Sequence, residues 1–234
     1  MHLAFLHTAP GHVATFDGLV RASHANAQVD HGVDAPLLQA AQVSGANDPQ
    51  VVAQVHEAMH RAAAGGAGVV VCTCSTLGGA AESMDTGGRF VAQRIDRAMA
   101  DRAVTLGRRV MVVAALPSTL EPTRWLLADS ARSLGVELQP VLLSLPQAWG
   151  HFVQGDLAGY IQAVVTGVRG AWREAPERAE VVVLAQASMA PAAALLGDLG
   201  VEVLSSPALG VAQALRVAAL RPSSGGPIEV NHAG

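Results

Sequence analysis

VVVCTCSTLGGAA, residues 69–81, and VVVLAQASMAPAA, residues 181–193, decide the fold. Each is a short run of β-branched residues, then small or polar residues, then an alanine-rich stretch. An unbroken apolar run of this length reads as a strand buried on both faces, and the alanine-rich continuation reads as a helix. The two segments lie 112 residues apart. A second pair, LAFLHTAP at 3–10 and VMVVAALP at 110–117, has an offset of 107. Two such pairs in the same order predict a duplicated chain, with two similar α/β lobes.

Working outward, buried strands are predicted over residues 3–7, 69–73, 109–115, 136–143 and 181–185, with weaker strands at 29–33 and 90–93. Helices are predicted over 49–64, 77–84, 95–106, 119–134, 156–172, 189–199 and 207–220. Strands alternating with helices make crossover units, so each lobe should be a parallel sheet flanked by helices. The expected division is 1–93 plus 207–220 for the first lobe and 94–206 for the second. Residues 221–234, rich in Pro, Ser and Gly, read as a flexible tail. The lobes are expected to be related by a pseudo-twofold, with the active site in the cleft between them.

Composition narrows the function. Half of the 234 residues are hydrophobic and only 15% are charged, so the chain can build a core. The formal charge of −4 and the 3% aromatic content argue against a nucleic-acid or membrane-surface partner. All 15 basic residues are arginine. Without lysine, Schiff-base chemistry and the P-loop lysine are both excluded. No apolar run approaches a membrane span, and the first residues lack the basic region of a signal peptide, so a cytoplasmic protein is expected. The two cysteines, Cys72 and Cys74, are too close in sequence for an unstrained disulfide.

Ligands of parallel α/β sheets sit beyond the carboxyl ends of the strands. Four loops belong there: 8–12, 74–76, 118–119 and 186–188. Most lead into a helix, whose free N–H groups and dipole favour an anion. A small carboxylate is the expected ligand. Cys74 ends a strand just before a helix, where N–H groups should lower its pKa from about 8.5 and make it a nucleophile or a base. Cys72, two residues deeper on the same face, reads as a small buried hydrophobe. Thr8, Ser75, Thr76, Ser118, Thr119, Ala187 and Ser188 are candidate substrate-binding residues, although hydroxyls in such loops also serve as helix caps. Pro10 and Pro117 set loop conformation.

The strand–Cys74-Ser75-Thr76–helix segment resembles the motif of the aspartate/glutamate/hydantoin racemase superfamily. VMVVAALPST resembles the strand and threonine loop that open the second lobe there, and VVVLAQASMAP resembles the strand whose loop carries a second cysteine. The resemblance implies a two-lobed, cofactor-independent isomerase, a racemase or epimerase of amino acids or their derivatives, and a possible homodimer. It implies that cysteines on opposite faces of the substrate α-carbon remove and return a proton, while hydroxyls and N–H groups hold the carboxylate and stabilise an enediolate. The sequence departs from this pattern at Gln186, which stands 112 residues after Cys74. An amide cannot exchange a proton as a thiol does. His7 or His12 then becomes the candidate second acid/base, with Gln186 as an amide donor to the substrate or a group satisfying loop backbone. The related branches leave two alternatives with one catalytic cysteine: a lyase resembling arylmalonate decarboxylase, or an isomerase resembling maleate isomerase. A non-catalytic carboxylate-binding protein is a further alternative.

A rival reading comes from another reaction class. His56-Glu57-Ala58-Met59-His60 spells H-E-x-x-H, which on a helix could hold zinc, with Glu82 as a third ligand and Glu57 as a base of a hydrolase. Against it, Val51, Val55, Met59 and Ala62 form the buried stripe of that helix, and His56 and His60 only flank it. No metal is assigned. The arginine-rich stretch 89–109, interleaved with Asp96 and Asp101, reads as a solvated helix face.

Overall fold

The computed structural model describes residues 1–24, 26–174 and 179–221. Most of the predicted tail lies outside the described residues. Among the described residues eight strands form two four-stranded, all-parallel sheets. The first contains β1 (His2–His7), β2 (Gln28–Val33), β3 (Val69–Cys72) and β4 (Val91–Arg94), in the order β2-β1-β3-β4. The second contains β5 (Arg109–Ala114), β6 (Gln139–Ser144), β7 (Val181–Leu184) and β8 (Glu202–Ser205), in the order β6-β5-β7-β8. One order is the other advanced by four strands, so the fold is the two-lobed α/β architecture expected.

The duplication extends to individual hydrogen bonds. Leu6 pairs with Cys72 in the first sheet, and Val113 with Leu184 in the second. Thr73 N–H donates to Leu6 O at 2.9 Å, and Ala185 N–H to Val113 O at 2.9 Å. Asp34 N–H donates to His7 O and Leu145 N–H to Ala114 O, both at 2.8 Å. These pairs reproduce the offsets 107 and 112, and they give a third, 111, for β2 against β6.

Among the described residues ten α-helices cover the sheets: α1 (His12–Ser23), α2 (Ala35–Ser44), α3 (Pro49–Ala63), α4 (Gly78–Glu82), α5 (Arg97–Leu106), α6 (Leu120–Leu134), α7 (Pro146–Val153), α8 (Leu157–Glu174), α9 (Ala190–Leu195) and α10 (Ser206–Leu220). Successive strand residues face opposite ways. Ala4, Leu6 and Val70 therefore pack under α2 to α4, while Leu3, Phe5 and Val71 pack against α1 and α10. In the second sheet Met111, Val113 and Val182 meet α7 to α9, and Val110, Val112 and Val183 meet α5 and α6. Helix α5 follows the last strand of the first sheet and packs on the second; α10 follows the last strand of the second and packs on the first. The two helices also touch each other. Gly210 permits the close approach of α10, since a side-chain carbon there would strike the Ile95 backbone. Helix α3 starts where the sequence dictates: Asp48 accepts hydrogen bonds from the Gln50 and Val51 N–H groups ahead of Pro49, a cap worth about 1 kcal/mol.

Several elements differ from expectation. Helices α1, α2 and α7 and strand β8 had no predicted counterpart. In α1 only Phe16 and Val20 are buried, and β8 is a four-residue edge strand, so neither carries a strong periodic signal. Strand β6 begins at Gln139, not 136, and its exposed edge keeps it short. Helix α4 has only five residues, and the loops 117–119 and 187–189 enter their helices through 3₁₀ turns. The expected dipole support for an anion is therefore weak, because a macrodipole needs several aligned turns. Among the described residues no helix is long and apolar enough to cross a membrane.

Candidate active site

The carboxyl ends of the two sheets face each other across a cleft of about 40 Å³, room for roughly three waters. Its wall is built in pairs from the duplicated halves. Ala9 and Leu116 are counterparts, as are His12 and Thr119, and Leu38 and Trp149. Cys74, Ser75 and Thr76 answer to Gln186, Ala187 and Ser188, and all of these positions line the cleft. Equivalent positions meeting around one cavity are what a two-fold axis through it requires. Thr8, Thr73 and Phe152 complete the wall.

Cys74 is buried at this wall, 8% exposed. The hydroxyls of Thr8 and Thr76 and the N–H groups of Thr76 and Leu77 are the polar groups that act on its sulfur, and Leu77 N–H donates to the Cys74 carbonyl oxygen at 3.1 Å. Those groups favour a thiolate, as anticipated, but burial outweighs them and pushes the Cys74 thiol above its ordinary value. The expected lowered pKa is thus corrected: the resting group is the neutral thiol. Cys72 is fully buried and donates its S–H to Cys74 O at 3.7 Å; burial raises its pKa as well.

The loop that carries Cys74 is held from two sides. In front, Thr76 Oγ1 meets Thr119 Oγ1 across the cleft at 3.0 Å. Behind, Arg94 donates to Ser75 O at 3.3 Å while paired with Asp96 through bonds of 2.6 and 3.1 Å. Arg94 and Asp96 are both buried, so the solvated-face reading of 89–109 fails at its centre. The pair lies at the end of β4 rather than on the outside of a helix. Gly78 packs on the Arg94 side chain, where a larger residue would collide.

Gln186 occupies the counterpart of Cys74 and does different work. Its Oε1 accepts from Ala115 N–H at 2.7 Å and Leu116 N–H at 3.0 Å. Its amide nitrogen has no protein partner among the described residues and belongs to the cleft wall. Ser188 Oγ shares a 2.9 Å hydrogen bond with the buried Tyr160 hydroxyl.

The two candidate histidines part company. His7 is fully buried and is not part of the wall. Thr73 Oγ1 donates to Leu6 O, so it accepts from His7 Nδ1 at 2.8 Å; His7 Nε2 then accepts from His31 Nδ1 at 2.9 Å. Both ring nitrogens are consumed, and burial with neighbouring His12 and His31 drives the His7 pKa down to about 3. His12 does line the cleft, and neither of its buried nitrogens has a partner among the described residues. Pro10 is exposed, and neither it nor Ser118 joins the wall.

The aromatic part of the wall was not foreseen. Trp149 and Phe152 stack at 4.8 Å between centroids on α7, in the wall of the cleft. Carrying the repeat through β2 and β6 would have placed Trp149 opposite Leu38. Neither Arg nor any acid lines the cleft; Cys74 and His12 are its only titratable side chains among the described residues.

The H-E-x-x-H residues are dispersed. His56 Nε2 bonds Ala80 O at 2.9 Å, His60 bonds Arg89, Glu57 pairs with Arg61 and Glu82 with Arg97. Among the described residues no group of three ligand-type side chains is placed to hold a metal.

No protein-family model and no curated protein sequence matches this chain. Solved structures do. Picrophilus torridus aspartate racemase aligns at TM-score 0.66 and 12% identity, over 94% of this chain and 95% of that one. Pseudomonas fluorescens allantoin racemase aligns at TM-score 0.62 and 17% identity, over 97% and 100%. An arylmalonate decarboxylase aligns at TM-score 0.55 and 18% identity, over 95% and 94%. The chain therefore shares the two-lobed fold of these racemases and of the decarboxylase. Fold similarity of this kind leaves the chemistry to be argued from the site.

Proposed function

We propose that this protein is a racemase/isomerase-type enzyme that moves a proton at the carbon next to a carboxylate, using its own side chains and no cofactor. Cys74 carries the proton on one face of the substrate. The observation behind this reading is a buried thiol in the wall of an interlobe cleft whose other lining is mostly small and hydroxylated residues. Ser75 Oγ and the Gln186 amide nitrogen, both without a protein partner among the described residues, are donors for the carboxylate and for the negative charge that develops as the enediolate forms. A neutral thiol is the correct resting form for the proton-giving side.

The wall also speaks to the substrate. With no cation in it, the second carboxylate of an aspartate or glutamate would be buried without a counter-charge, at a cost of several kcal/mol. The Trp149–Phe152 stack favours an apolar or aromatic substituent instead, and a cleft of about 40 Å³ takes it only with the lobes further apart. That same wall, with one cysteine and an amide opposite, supports a second reading: a decarboxylase-like lyase in which Cys74 protonates the enediolate after carbon dioxide leaves.

The test is incubation in deuterated water with aspartate, glutamate, 5-benzylhydantoin, phenylglycine and phenylmalonate. Deuterium entering the α-carbon with loss of optical activity is expected for the proton-transfer reading, and carbon dioxide from phenylmalonate for the second. Cys74→Ala should lower either rate by about 1,000-fold, the range of a positioned acid or base. An unaffected Cys74→Ala protein would overturn the role of the thiol.

A further inference from the structure

We infer that His12 is the second acid/base group of this cleft, facing the substrate from the side opposite Cys74. This rests on the proton-transfer reading above.

The two-fold relation supplies the placement. Thr119, the counterpart of His12, sits in the second lobe and touches Thr76, the neighbour of Cys74. The same relation applied in reverse sets His12, in the first lobe, beside Ser188 and Gln186. The imidazole therefore belongs to the face on which a two-thiol enzyme would carry its second sulfur. Gln186 cannot fill that role: an amide does not titrate, and its oxygen is held by Ala115 and Leu116. The Ser188 hydroxyl is shared with Tyr160, whose own pKa burial raises to about 12. His7 is spent on Thr73 and His31. What remains is a histidine whose two buried nitrogens have no partner among the described residues, in a wall whose only other titratable group is the thiol. Unpaired buried nitrogens are costly in a folded protein, so their retention at a cleft points to a ligand that pairs them.

The protonation states fit. Burial holds the His12 imidazole neutral, so it has a lone pair to accept a proton. A ring nitrogen of His12 takes the α-hydrogen as a proton, and the C–H electron pair moves into the carboxylate to form the enediolate. That pair then returns to the carbon and takes the Cys74 S–H proton on the other face. The site passes from thiol plus imidazole to thiolate plus imidazolium, with no change in total charge. The opposite enantiomer runs from that second state, and solvent exchange resets it. No further reactant is needed.

The experiment uses both enantiomers of α-deuterated phenylglycine and of 5-benzylhydantoin in ordinary water with the full chain. His12→Gln should slow racemisation by at least 100-fold, and one enantiomer should still wash out deuterium with retained configuration at the Cys74 face. Cys74→Ala should block that washout. His12→Ala should regain at least 10-fold when free imidazole is added, which a packing role would not produce. Iodoacetate, a carboxylate with a reactive carbon, provides a readout free of turnover: in Cys74→Ala protein it should carboxymethylate His12. Wild-type racemisation by His12→Gln, alongside an inactive Cys74→Ala, would overturn this inference and leave the thiol reading intact. Absence of label at His12 would overturn it too. A wild-type protein that exchanges no α-proton, or a fully active Cys74→Ala, would sink the parent reading and this inference together.

Discussion

The loops 74–76 and 186–188 descend from one pattern and are held in place by opposite devices. In the first lobe a buried guanidinium holds the loop from behind: Arg94, fixed by Asp96, donates to Ser75 O. The register puts Ser205 at the corresponding place in the second sheet, since Cys72 pairs with Arg94 and Leu184 with Ser205. Among the described residues no guanidinium takes that place. Gln186 does the holding itself, by accepting two N–H groups of the neighbouring loop. The lesson is a division of labour. Where an ion pair outside the cleft anchors the loop, the residue at the strand end is free to be a thiol. Where that residue is the anchor, its side chain is committed to the neighbouring loop, and on the proposed reading another group has to carry the proton.

The largest effect should come from the ion pair. Asp96→Asn leaves a buried arginine without its counter-charge, and about 3–5 kcal/mol of stability should be lost. Urea unfolding would measure it. The double variant Arg94→Met/Asp96→Leu, which buries no charge, should recover most of that loss yet remain impaired in turnover, because Ser75 O has lost its donor. A fully active double variant would break the comparison by showing that the loop does not need its rear anchor.

The second lobe is probed at Gln186. Gln186→Leu strips the acceptor from two buried N–H groups, each worth about 1–3 kcal/mol, so a loss of about 2–4 kcal/mol is expected. Gln186→Glu keeps an oxygen for both N–H groups and should fold well. It replaces the free amide nitrogen by a second carboxylate oxygen facing the substrate acid, so KM should rise at least 10-fold with a smaller change in kcat. Gln186→Cys, which restores the two-thiol pattern of the sequence family it resembles, should be destabilised like the leucine variant.

The contrast between halves also marks how far the sequence could be read. Strands β1, β3, β5 and β7 were legible because an unbroken apolar run has no other stable use in a chain this size. Their repeat also located the Cys74/Gln186 pair, which needs only counting. The ion pair was hidden because Arg94 and Asp96 sit among alternating charges, and charge alternation by itself signals solvent. Burial was the missing quantity there. It was missing again at Cys74, where the hydrogen-bond donors were foreseen and the stronger desolvation was not. Trp149 escaped because α2 and α7 bury little: Leu37 and Ala41 in one, Ala148 in the other. Helix α2 is weakly amphipathic and α7 has only eight residues, so the repeat was not extended through them.

A smaller effect separates the lobes by pH. His7, with no histidine at the equivalent Ala114, is held neutral with a pKa near 3 by burial and by His12 and His31. Unfolding releases it to about 6.5. Its folded pKa is the lower one, so the unfolded chain binds the extra proton. Stability is then full above about pH 6.5 and falls as pH drops towards 3. Between pH 7 and 5 the loss from His7 alone is about 2 kcal/mol. Denaturant midpoints at the two pH values would measure it, and His7→Gln should flatten the difference.

The finest test sets Thr76 against its counterpart Ser188. Thr76 spends its hydroxyl across the cleft on Thr119, joining the lobes; Ser188 spends its own within the second lobe, on Tyr160 of α8. Each loss of a buried partner should cost about 1 kcal/mol in unfolding. The consequences for turnover should differ. Thr76→Val also removes a donor from the Cys74 sulfur, so the thiol should become harder to ionise, and the alkaline limb of its alkylation by iodoacetamide should move to higher pH. Thr76→Ser should restore it. Ser188 is not among the groups that act on the Cys74 sulfur, so Ser188→Ala should leave that profile where it was. Equal shifts in both variants would mean that the thiol responds to general loosening of the cleft, and the assignment of Thr76 to the sulfur would fall.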